Sequence, residues 1–194
     1  MLVGIAGHKQ AGKTTLANGL SRHFWWLHTS FAEPIREFAC RILGVTLDEL
    51  ERIKEQPIDW LDGITPRRIM QLAGTEFGRQ MLNPDIWVRS ALRRASKARG
   101  CVLSDVRFAN EAEAIRKRNG VVIRLHRGDA CKDAHASETP IPDDLVDIEI
   151  HNSGSVSETL DYAIEQLGKF GCYLPAPMFV GAVATDARAT LRHP

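Results

Sequence analysis

Apolar positions recur along this chain in two rhythms. Leu2 to Ala6 is a short apolar run ending in glycine, which predicts a buried strand followed by a tight turn. Lys13 to Phe24 carries Leu16, Leu20 and Phe24 four residues apart, one face of a helix. Leu27 to Phe31 predicts a second strand, and Glu33 to Leu43 a helix with Ile35, Phe38, Ala39 and Ile42 on one side. Thr46 with Glu49 forms a capping box that starts another helix. Thr65-Pro66 pairs an N-cap with proline at the first helical position, and Ile69, Ala73, Phe77 and Met81 then predict a helix reaching Leu82. Asn83-Pro84 repeats that start signal for a helix running to about Arg99 and stopping at Gly100. Cys101 to Ser104 predicts a strand ending at Asp105, and Asn110 with Glu113 caps a helix that Gly120 ends. Val121 to Leu125 and Val146 to Ile150 predict the last strands, and Ser155 with Glu158 caps the final helix. Strands alternating with helices predict an α/β domain with a mainly parallel sheet. The stretch 33–99 departs from that alternation, being nearly all helix, and reads as an insertion above the sheet edge.

The eight residues from Gly7 to Thr14 satisfy G-x-x-x-x-G-K-[ST] at every specified position, between the first apolar run and the first amphipathic helix. The glycines let the backbone curl its N–H groups around phosphate oxygens, and the helix N-terminus adds partial positive charge. Gly7, Lys9, Ala11, Gly12, Lys13, Thr14 and Thr15 are therefore the expected ATP contacts. Lys13 is expected to reach the β- and γ-phosphates, and the Thr14 hydroxyl to ligate Mg²⁺. Asp105, at a strand's carboxyl end beside this loop, is the second expected Mg²⁺ ligand; capping a turn is its other reading. Transfer to a phosphorylated acceptor needs cations on both substrates. Arg36, Arg67, Arg68, Arg79, Arg107, Arg124 and Arg127 are the candidates, and Arg68 and Arg79, eleven residues apart, are expected to share a helix face. Trp25 and Trp26 are expected to pack, and His135, Ser137 and Glu138 lack the spacing of a catalytic cluster.

Composition narrows the classes further. The 194 residues fit one domain, expected over 1–170 with a tail over 171–194 that is rich in Pro and Ala. A net charge of +1 argues against an electrostatic nucleic-acid binder. Arginine outnumbers lysine 18 to 7, which suits phosphate handling, and a GC-rich genome explains the bias equally well. Cys40, Cys101, Cys131 and Cys172 form no CxxC pair, so neither zinc nor a disulfide framework is signalled and a reduced, cytoplasmic setting is expected. No apolar run reaches the length of a membrane span, and the first residues lack signal-peptide features.

The segments GHKQAGKTT (7–15), SFAEPIREFA (30–39), TPRRIMQLAGTEFGRQ (65–80), NPDIWV (83–88), LSDVRFANEAEAIR (103–116) and HNSGS (151–155) together resemble the deoxynucleoside monophosphate kinases of tailed phages, within the wider P-loop nucleoside monophosphate kinases. The resemblance spans Leu2 to about Leu167. It implies a P-loop three-layer fold with a five-stranded parallel sheet, an acceptor-binding helical region over 33–99 and a lid loop over 127–144. It implies ATP, Mg²⁺ and a deoxynucleoside monophosphate as the small-molecule partners, in the host cytoplasm if the chain is phage-encoded, with no nucleic-acid or membrane partner and with a homodimer open. Arg36 and Arg79 would bind the acceptor phosphate, joined by Arg68 and Arg107. Arg127 would reach the transferring group from the lid, where Lys132 is the only other lysine or arginine, and Asn152 would lie near the adenine. Dephospho-coenzyme A or a phosphorylated isoprenoid precursor is the alternative acceptor, and a switch or assembly ATPase without a small acceptor is the reading from another class.

Overall fold

Strand β1, Leu2–Ala6, is buried at all five positions because both sheet faces are covered there. It pairs in parallel with β3, Cys101–Val106, on one side and with β4, Val121–His126, on the other. Strands β2, Leu27–Thr29, and β5, Ile148–His151, complete a five-stranded, wholly parallel sheet in the order β2-β3-β1-β4-β5. The structure, a computed structural model, describes residues 1–127 and 141–172. The expected lid over 127–144 is therefore described only at Arg127 and 141–144. Lys132, Cys131, His135, Ser137, Glu138 and the tail beyond Cys172 lie outside the described residues.

Alternation along the strands sorts the side chains into two cores. Val3, Ile5, Val102, Ile123 and Ile150 pack on helix α1, Lys13–Phe24, and helix α7, Val156–Lys169, through Leu16, Leu20, Ala163 and Leu167. The other face packs on α5, Ile86–Ala95, and α6, Ala109–Arg116, through Ala91, Leu92, Ala112 and Ile115. Each fully buried aliphatic side chain contributes about 1.5–3 kcal/mol, so the two layers clamp the sheet from both sides. The chain leaves β1 towards β2 and leaves β3 towards β4. The carboxyl ends of β1 and β3 therefore flank a switch point, where α/β sheets open a crevice.

The caps at Thr46 and Ser155 are present as expected, each accepting from the backbone N–H three residues on. Several boundaries differ. Strand β2 ends at Thr29 rather than Phe31, because the N–H groups of Phe31 and Ala32 turn to the Asp105 carboxylate. Helix α2, Glu33–Leu43, and α3, Leu47–Ile53, follow the pattern, but the helix begun at Pro66 does not stay α. Helix α4 covers Pro66–Gln71 and passes into a π-helix over Leu72–Leu82. Its i→i+5 bonds take more residues per turn, so the four-residue apolar row drifts off the core. Phe77 is 53% exposed and Met81 75% exposed, while Ala73, Gly74 and Gly78 face inward. A Cβ at Gly78 would stand 2.4 Å from Trp87 Cζ2, so glycine is what lets the indole close on this helix.

Asn83 caps no helix. Its Oδ1 accepts from Asp85 N in a local turn, and α5 starts at Ile86 and ends at Ala95, short of Arg99. Strand β3 runs past Asp105 to Val106, and β5 begins at Ile148 rather than Val146. Asp147 instead accepts from Val122 N through Oδ2 (2.8 Å). Asn110 donates to Asp85 rather than capping α6. That helix is capped by Glu111, whose Oε2 accepts from the N–H groups of Arg107 (2.8 Å) and Phe108 (3.2 Å). Trp26 stacks on Phe24 at 4.4 Å, whereas Trp25, at φ 57, is 85% exposed and packs little.

Candidate active site

The loop after β1 turns because Gly7, at φ 141, passes close beneath β4. A Cβ there would stand 2.3 Å from Leu125 O, an overlap with backbone that no side chain could relieve. Gly12, at φ 98, delivers the loop into α1. The Lys13 ammonium donates to the carbonyls of Gly7 and His8, both at 2.6 Å, and so spans the loop it ends. Lys9, Lys13 and Thr14 line a cleft of about 890 Å³. Ala11 is buried, and Thr15 is exposed outside the cleft lining.

Two side chains hold the loop from outside. Arg127 Nη1 donates to Gln10 O at 3.0 Å, which sets the guanidinium over the loop. Asn152 Nδ2 donates to Ala11 O at 2.9 Å while its Oδ1 accepts from the Thr159 hydroxyl. The Asn152 amide thus braces the loop from outside, a contact separate from the one expected with adenine. Asn152→Ala is expected to raise the KM for the nucleotide donor severalfold and to cost about 1–2 kcal/mol of stability. ATP and GTP should weaken equally in steady-state assays; a change in the ATP-to-GTP ratio would assign Asn152 to the base instead.

Beyond the loop, the cleft passes the carboxyl ends of β2 and β3 and runs under the helical insertion. Among the described residues, seven lysines and arginines and five carboxylates line it, so its charge balance favours anions. Arg36 lines it with Nη2 held by the Ser30 hydroxyl. Arg79 Nη2 donates to Glu111 Oε1 at 3.1 Å, and its guanidinium lies 4.1 Å over the Phe108 ring. The Arg107 side chain is exposed into the same cleft. Arg68 does not join them. It pairs with Glu76 at 3.3 Å outside the cleft lining, because the π-turns between it and Arg79 stop eleven residues from closing whole turns. Arg67 lines the cleft in its place, paired with Glu55. Arg124 is structural, donating to Asp143, to Glu149 and to Ile141 O.

Asp105 lies in the cleft, yet both its oxygens are engaged, Oδ1 by Phe31 N (2.7 Å) and Oδ2 by Ala32 N (3.1 Å). It caps the turn between β2 and α2. Each oxygen retains a second lone pair, so Asp105 with Thr14 suits a Mg²⁺ that keeps most of its shell as water and phosphate oxygens. No group of three His, Cys, Asp or Glu placed to hold a metal occurs among the described residues.

Three supports in this site lie outside the phosphate-binding motif. Arg94 braces the β2–α2 turn, donating to Ser30 O (2.8 Å) and pairing with Glu33 (3.1 Å). His28 sits in the cleft floor between Asn18 Oδ1 and Ser104 Oγ, both 2.8 Å away. Burial lowers its pKa; the neutral ring then donates from Nδ1 to Asn18 and accepts from the Ser104 hydroxyl at Nε2. Glu111 is 2% exposed. Burial pushes its carboxyl pKa up, against the N–H groups of Arg107 and Phe108 and the Arg79 guanidinium, which pull it down. A glutamate three residues past the β3–α6 turn, where a capping carboxylate reaches back, was the available signal for it.

The chain is similar to known proteins of one family. The family model described as deoxynucleotide monophosphate kinase matches residues 42–162. A relative from Acanthamoeba polyphaga mimivirus, carrying a deoxynucleotide monophosphate kinase name, is 34% identical over 73% of this chain and 82% of its own. Deoxynucleoside-5'-monophosphate kinase of Escherichia phage T5 is 27% identical over 78% of this chain and 89% of its own. Among solved structures, shikimate kinase from Aquifex aeolicus aligns with a TM-score of 0.50 at 14% identity, over 88% of this chain and 98% of that one. That likeness speaks for the P-loop kinase fold alone.

Proposed function

The chain belongs to the deoxynucleotide monophosphate kinase family, and we propose that it transfers the γ-phosphate of ATP to a deoxynucleoside monophosphate, giving ADP and the deoxynucleoside diphosphate. The observation that carries this reading is one cleft lined both by the P-loop with Lys13 and by Arg36, Arg79 and Arg107. An acceptor phosphate is already ionised, so no general base is needed. Its oxygen attacks the γ-phosphorus in line, forming one P–O bond as the bond to the β-phosphate oxygen breaks and ADP leaves. The protein's contribution is positioning and charge.

In this reading Lys13 and the loop N–H groups from Gly7 to Thr15 carry the triphosphate, and Arg127 turns from Gln10 O to the transferring group. Thr14 directly and Asp105 through water would hold Mg²⁺, which supplies charge neutralisation at the β- and γ-phosphate oxygens. The Ser30 bond to Arg36 and the Glu111 bond to Arg79 support their assignment to the acceptor phosphate, because each guanidinium is presented without rearrangement. Residues 1–170 form the kinase domain, with 33–99 as its acceptor region and 127–144 as its lid. Its setting is the cytoplasm, the host's if the chain is phage-encoded, on small molecules rather than nucleic acid or membrane, as a monomer or homodimer. Among the described residues no helix is long and apolar enough to cross a membrane.

The test is coupled ADP release with ATP·Mg²⁺ against the deoxynucleoside monophosphates, their ribonucleotide counterparts and dephospho-coenzyme A. Arg36→Ala and Arg79→Ala are each expected to raise the acceptor KM about tenfold or more, as for loss of a charged hydrogen bond, with the KM for ATP little changed. Unaltered acceptor KM in both variants would remove these arginines from the acceptor site. Release that ignores the deoxynucleotides would remove the reading itself.

A further inference from the structure

The acceptor end of the cleft holds side chains that the protein's own packing leaves unused. Gln71, Thr75 and Arg79 succeed one another at four-residue intervals and all line the cleft. Arg79 ends the row against Glu111, and the neighbouring Arg67 and Lys54 are paired with Glu55 and Glu51. The Gln71 carboxamide and the Thr75 hydroxyl make no hydrogen bond within the described residues. Beside them, Ile35, Met70 and Trp87 supply apolar wall. Ile35 Cδ1 lies so close to Gly74 that a Cβ there would stand 3.0 Å from it, and Trp87 Nε1 donates to Gly74 O at 2.7 Å. Apolar wall, fixed against Gly74 on two sides, therefore adjoins two polar groups without a hydrogen bond among the described residues.

We infer that Gln71 and Thr75 read the polar edge of the acceptor's base. This rests on the kinase reading and deepens it. With the acceptor phosphate on Arg79, a base lying back along the row meets Thr75 and then Gln71. Eight residues of α-helix rise about 12 Å, and the π-turns shorten this somewhat, which leaves the span of a nucleotide from phosphate to base edge. A carboxamide presents a donor and an acceptor side by side, and a hydroxyl rotates to serve as either. Such a pair can satisfy the adjacent donor and acceptor of more than one base and still penalise a base that leaves one of its groups unpaired. The acceptor profile is therefore broad and uneven.

The experiment measures kcat and KM for dAMP, dGMP, dCMP and dTMP in the unsubstituted enzyme, Gln71→Leu, Thr75→Val and the double variant. Both positions lie at the cleft surface, and the KM for ATP reports whether the fold is intact. The expected result is an acceptor KM raised about tenfold in the double variant, unequally among the four nucleotides, with the ATP KM unchanged. Four acceptor KM values that keep their original ratios and rise less than about twofold would overturn the inference while leaving the kinase reading in place. Failure of that reading has a different signature: no turnover of any of the four by the unsubstituted enzyme, which removes this inference with it.

Discussion

Lys13→Ala is expected to lower kcat/KM on the order of a thousandfold, about 4 kcal/mol of lost transition-state stabilisation. The ammonium stands at the first turn of α1 and donates to two carbonyls of its own loop at 2.6 Å, so it is held where the triphosphate must enter. Negative charge on the transferring phosphoryl group and on the leaving β-phosphate oxygen is met there by a point charge and three rotatable donors. Lys13→Arg should recover little, because a planar fork cannot replace a compact ammonium inside the loop. Coupled ADP release under kcat/KM conditions measures the effect, and thermal unfolding separates it from misfolding. Activity within about tenfold of the unsubstituted enzyme would take Lys13 out of the chemistry.

Glu111→Ala is expected to cost about 3–5 kcal/mol of stability, seen as an early thermal or urea midpoint. It strips the partner from the N–H groups of Arg107 and Phe108, leaves the Arg79 guanidinium without its counter-charge, and opens a void at a 2% exposed position. Glu111→Gln separates the parts. The glutamine oxygen can still accept both N–H groups, but its amide then turns donors towards Arg79. The expected cost falls to about 1–2 kcal/mol, while the acceptor KM rises with kcat nearly constant. A purely structural glutamate would instead leave both kinetic constants unmoved in the glutamine variant. Because burial raises its carboxyl pKa, the folded state binds the Glu111 proton more tightly than the unfolded chain does. The group's contribution is therefore most favourable below its ordinary pKa and weakens as pH rises through the folded value.

Where local chemistry decides the structure, the sequence reads directly. Gly7 and Gly12 mark backbone that only glycine accommodates comfortably, Thr46 and Ser155 carry side chains that reach the backbone three residues on, and β1 is buried on both faces. These are short-range causes. The misplaced elements are those where a distant partner outbids the local signal. Asn110 looks like a cap but bonds Asp85, 25 residues earlier in the chain, and Phe31 leaves its strand for Asp105 on β3. Arg68 falls outside the cleft lining and Phe77 off the core for one reason, a helix whose turn changes midway. Arg36, Arg79 and Arg107 could be singled out because phosphate chemistry restricts the residue type, and all three line the cleft. Glu111 and Arg94 were missed because they touch other site residues, and pairings between remote positions leave no periodic trace.

The π-helix bears on how this segment can change length. Over Leu72–Leu82, beyond the α-turns that Thr65 caps, the chain is packed more densely along the axis than an α-helix allows. Losing one residue there would not simply shorten a loop; it would rewind the turn, swing Thr75 and Arg79 away from the cleft and leave the anchors standing. Single-residue gaps among relatives should therefore be rare between Gln71 and Arg79, and common only where the anchoring tryptophan or the inward glycines have changed as well.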